Sequence, residues 1–159
     1  MGWSGWSGRS EQRVQLIDRR PQPPVESAQV LLGIVCEALI LQDQAEAVLA
    51  AVSRHEPLGD VAPRGGPVGR RFFALRELLP ARYTDPQLDR LRAAVSTILH
   101  HHAVQVATAL EFLAVDGQSE RLHRQVSGWG SLGAPAHRLE EVYRELRAIP
   151  GYRTEQPSD

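Results

Sequence analysis

The sequence predicts an all-α protein: an irregular bundle of four to five helices, two of them long and packed antiparallel. Two observations carry this. Apolar residues recur at three- and four-residue spacing over long segments free of proline. No segment of useful length alternates apolar and polar residues as a half-buried strand does.

Residues 1–24 are expected to be a disordered tail. They repeat Gly-Trp-Ser twice and end in Arg19-Arg20-Pro21-Gln22-Pro23-Pro24, which cannot hold a helix. Trp3 and Trp6 give that tail a second reading as a docking peptide, because tryptophan is enriched at binding hot spots.

A single helical domain is expected over 25–150. Its first helix spans 26–54. From Val30 to Leu41 its apolar residues nearly encircle the axis, interrupted by Gly33 and Glu37, and a helix greasy all round belongs in a bundle centre or under a partner chain. Cys36 has no basic neighbour in sequence and reads as a small core hydrophobe.

Residues 55–67 are expected to be a loop, because Gly65-Gly66 sits between Pro63 and Pro67. A short helix follows over 68–79, with Val68, Phe72, Leu75 and Leu79 on one face and Pro80 as its stop. Thr84-Asp85-Pro86-Gln87 marks a capped start, and no Gly or Pro follows until Gly117. The helix over 85–116 would span roughly 46 Å. A compact domain of this size is roughly 35–40 Å across, so the helix either bends or overhangs into a second chain. A shorter helix is expected over 119–129. A last one runs from Pro135 to a stop at Pro150-Gly151, with a disordered tail over 151–159. The expected core includes Leu39, Val48, Phe72, Leu75, Leu91, Ile98, Leu110, Leu113, Leu139 and Leu146.

Composition narrows the function classes. A net charge of -1 gives no global attraction to nucleic acid or membrane, and nucleic acid is an unfavoured partner. All 18 basic residues are arginine and asparagine is also absent, a bias that fits a GC-rich, bacterial coding sequence. One cysteine excludes an internal disulfide and a CxxC pair. No run of 18 apolar residues occurs and the N-terminus lacks the apolar centre of a secretion signal, so a cytoplasmic protein without a membrane span is expected. GxSxG, the phosphate-binding loop and the dinucleotide fingerprint are all missing. The reading leans away from an enzyme.

Two constellations carry alternative chemistry. His100-His101-His102 lie mid-helix, where successive side chains diverge by 100°, so the three cannot face one metal. A metal or small ligand would need His101 and His102 with Glu120 and His123, which form a Glu-x-x-His unit. The plainer reading makes His102 a satisfied core or interface histidine and His100 a solvated one; a pH-sensitive contact at His102 is a further alternative. The segment Arg64–Arg82 is rich in arginine, and Arg70, Arg71 and Arg76, placed beside a helix start, form a candidate anion or nucleic-acid site. Phe73, off the apolar face, could stack on a base or pack on a partner. The plainer reading pairs these arginines with the acidic first helix or leaves them solvated. The leading expectation is a protein-interaction or regulatory module acting as a homodimer.

Overall fold

The computed structural model describes residues 24–115 and 130–150. They form four helices: α1 Pro24–Ser53, α2 Leu58–Glu77, α3 Pro86–Val115 and α4 Ala134–Arg147. No strand occurs among the described residues. The expected helix over 119–129 and the two tails lie outside them, except Pro24, which opens α1.

α1 ends without a glycine. His55 takes the left-handed conformation (φ 59°), and the Glu56 N–H returns to the Ala51 carbonyl at 3.1 Å while His55 N–H bonds Val52 O at 2.9 Å. This is the hydrogen-bond pattern of a Schellman stop, made here by a histidine. α3 starts as its sequence predicts. Asp85 Oδ1 accepts the Leu88 N–H at 2.8 Å, and Pro86 occupies the first helical position.

The expected loop over 55–67 is corrected. Helix begins at Leu58 and passes through both Pro63 and Pro67. Each proline removes one backbone bond and leaves a carbonyl without its helical donor. Packing outweighs that loss. Val61, Gly65, Val68, Gly69, Phe72 and Leu75 form one buried stripe, and its helical spacing continues upstream through Gly65, where a side chain would not fit. A Cβ at Gly65 would lie 2.9 Å from Val48 Cγ1 and 3.0 Å from Leu110 Cδ2. The Gly-Gly pair is a close-packing device, and tertiary contact overrides its weak helix propensity.

That extra length changes the topology. Gly65 faces Val48, and Arg71 pairs with Glu37, so α2 runs antiparallel to α1. Gly65 faces Leu110, Phe72 meets His102 and Arg76 reaches Ser96, so α2 is also antiparallel to α3. The two long helices α1 and α3 therefore run parallel, where an antiparallel pair was expected. The cause is parity: a 20-residue α2 crosses the bundle and returns the chain to its starting end before α3 begins. α4 descends along α3, with Arg90–Glu145 at one end and the Gln42–Ala136 contact at the other. α2 and α4 each pack on both long helices.

Seven of the ten expected core residues are buried. Leu39, Leu110 and Leu113 are half-buried and pack against the core. Buried side chains run along α3 from Leu88 to Ala109, so its length alone does not require a second chain. α1 is long and apolar enough, from Val25 to Ser53, to cross a membrane by length and composition, although it holds no run of 18 apolar residues. It also packs against the three other helices, as a core helix does.

The glycines give a paired stability test. Gly33 is exposed and an added Cβ meets nothing within 4 Å, so Gly33→Ala is expected to stabilise by about 1 kcal/mol through helix propensity. Gly65→Val is expected to destabilise by about 1–3 kcal/mol through overpacking. Urea midpoints that move in the same direction for both variants would contradict this packing.

Candidate functional site

Four helices converge on one polar pair. His102, on α3, is fully buried, and its Nε2 lies 3.0 Å from Gln42 Nε2 on α1. The Gln42 amide also lies 3.5 Å from the Ala136 carbonyl in the first turn of α4. Phe72 of α2 meets the His102 ring edge-on, with centroids 5.2 Å apart. An amide NH₂ only donates, so His102 Nε2 accepts and the ring carries its proton on Nδ1. That Nδ1 is buried and has no hydrogen-bond partner. An orphaned buried donor costs roughly 1–3 kcal/mol.

Burial lowers the His102 pKa to about 4, and neighbouring His101 adds to the shift. The ring is therefore neutral at pH 7. Its burial matches the plainer sequence reading, but only one of its two ring nitrogens is satisfied. Its partner Gln42 is the residue that sequence reasoning missed. The available signal was weak: two amides, Gln42 and Gln44, lie between Leu41 and Ala45, and only Gln42, four residues after Ala38, falls on the buried face.

The metal constellation is only partly visible. His101 is exposed while His102 is buried, and their rings stand 6.3 Å apart. His102 Nε2 is engaged by Gln42. Glu120 and His123 lie outside the described residues. Among the described residues no group of three or more metal-ligating side chains comes together.

The arginine cluster resolves into separate roles. Arg71 pairs with Glu37 across the α1–α2 interface, which raises the Arg71 pKa. Arg76 Nε donates to Ser96 Oγ at 3.2 Å, and Arg70 is exposed. Because α2 starts at Leu58, all three lie in its C-terminal half, not beside its N-terminus. None of them lies in the first turn, where the helix dipole favours anions. Phe73 packs on His100 with centroids 6.0 Å apart.

What remains uncovered is more unusual than what is buried. α1 exposes Val30 and Ile40, the latter at 64%. On α3 the 18 residues Ala93–Leu110 contain no Asp, Glu, Arg or Lys. Yet Ala93, Thr97, His100, His101, Val104 and Thr108 of that segment are exposed. A groove of about 270 Å³ lies on this face, lined by His101, Val104, Gln105 and Thr108. Solvent-facing helix surfaces ordinarily carry charge.

Comparison with protein-family models, curated proteins and solved structures finds no match.

Proposed function

We propose that this protein is a non-enzymatic helical interaction module that works as a homodimer. The observation that carries the reading is the exposed face of α3 over Ala93–Leu110, a run without Asp, Glu, Arg or Lys. A solvated helix face has no physical need to exclude charge over five turns, whereas a face that docks against protein does. Val30 and Ile40 are two further exposed apolar residues, at separate places on α1.

Light scattering at ~10 µM protein tests the assembly. The expected mass is twice the 17.6 kDa of the chain. A single-chain mass throughout the micromolar range would remove the homodimer reading.

A further inference from the structure

We propose that two copies pair through α3, antiparallel, about a two-fold axis passing between His100 and His101. The inference rests on the homodimer reading and names the face that forms the dimer. Antiparallel pairing about that point brings each residue opposite the one equally far on the other side of the axis. His100 then meets His101 of the other copy, Thr97 meets Val104, and Ala93 meets Thr108. The next exposed positions are Arg90 and Glu111.

Charge complementarity selects a second copy as the occupant. On α3 itself the exposed strip carries Arg90 at its N-terminal end and Glu111 at its C-terminal end, with no Asp, Glu, Arg or Lys at the exposed positions between. Antiparallel self-pairing sets Arg90 opposite Glu111 at both ends of the contact. Parallel pairing sets like against like, so the charges also select the orientation. Arg90 already contacts Glu145 at 3.2 Å yet remains 67% exposed, which leaves its guanidinium able to reach a second carboxylate. The spacing of three and four residues along 90, 93, 97, 100, 104, 108 and 111 keeps the strip on one side of the helix.

Shape agrees with charge. The groove beside Val104 and Thr108 faces, across the axis, the strip holding Thr97 and His100 of the other copy. Each copy therefore offers a groove and the side chains to enter it, as a closed isologous contact requires. Phe73, packed on His100, extends the surface onto α2. The strip is narrower than the roughly 20–30 residues a side of a standard interface, so the dimer is expected to dissociate on dilution.

A charge swap tests the arrangement. Glu111→Arg places Arg opposite Arg at both ends, and Arg90→Glu places Glu opposite Glu. Each variant alone is expected to self-associate at least about tenfold more weakly than the parent in sedimentation velocity. An equimolar mixture is expected to recover a dimer, because one copy of each restores two Arg–Glu pairs. Both substitutions suit the α3 dipole, acid toward the start and base toward the end, and circular dichroism checks that each variant folds. Val104→Arg, at the centre of the strip, is expected to abolish pairing alone. A parent dimer that tolerates all three substitutions overturns this face and leaves the homodimer reading standing; loss of that dimer in Ile40→Arg then locates the contact on α1. A parent that is monomeric overturns both.

Discussion

Acidification from pH 7 to pH 4 is expected to remove about 3 kcal/mol of folding stability through His102 alone. The folded pKa is about 4, while the free imidazole titrates near 6.5. Below pH 6.5 the unfolded chain takes up a proton that the folded chain refuses. Stability therefore falls as the pH drops from about 6.5 to about 4 and levels off below that. The geometry supplies the mechanism. Protonation turns Nε2 from an acceptor into a donor, and it then faces the Gln42 NH₂, also a donor, at 3.0 Å. Rotating the amide to present its oxygen relieves that clash but sets the oxygen toward the Ala136 carbonyl. Unrotated, the amide loses its bond to His102 on α3; rotated, it loses its bond to Ala136 on α4.

Urea unfolding of the parent and of His102→Leu at several pH values between 7.5 and 4 measures the effect. The parent is expected to lose the stated stability across that range relative to the variant. Carboxylates held low by arginine, such as Glu56 beside Arg54 and Arg64 and Asp89 beside Arg92, also weaken at acid pH. They are present in both proteins and cancel in the comparison. Equal pH slopes for parent and variant would show that His102 is accessible to protons in the fold.

Phe72→Ala is expected to destabilise the bundle by about 3–5 kcal/mol, the range for removing a buried aromatic ring. Phe72 is among the largest fully buried side chains, and it sits where α2 meets α3 over His102. Its removal opens a cavity beside the His102 ring, whose Nδ1 is orphaned. A cavity with a polar wall admits water, and water is a partner for that N–H. The variant is therefore expected to lose part of the parent's acid sensitivity as the His102 pKa rises toward its ordinary value. Denaturant midpoints at pH 7.5 and pH 5 measure both effects. A loss below about 1 kcal/mol would mean that the surrounding helices collapse into the vacated space.

The elements of this fold differ in how legible they were. α3 and α4 announced themselves because their capping residues and apolar stripes agree. Asp85-Pro86 opens one, Pro135 stands in the first turn of the other, and the buried residues of both follow the sequence stripe. α2 was half hidden, since Pro63, Gly65, Gly66 and Pro67 are breakers by local preference. What keeps them helical is a distant contact: Val48 and Leu110 close on Gly65 and leave no room for a side chain. The pairing sense of α1 and α3 was lost with it, because chain direction depends on how many elements cross the bundle. The candidate site divided in the same way. His102 stood in the apolar stripe and was placed in the core from sequence, while Gln42 is 60 residues away and becomes its partner only when α1 and α3 meet.

The sequence by itself determined the helical class, the long helices, the capped start of α3 and most of the core, because these depend on residues three to four apart. Only the tertiary structure decided that α2 is a full helix, that α1 and α3 run parallel, that His102 is buried against Gln42, and which side of α3 stays uncovered. Each of these depends on contacts between residues far apart in the chain. Their free energy exceeds the local preferences of a few prolines and glycines, and no window of sequence contains both partners.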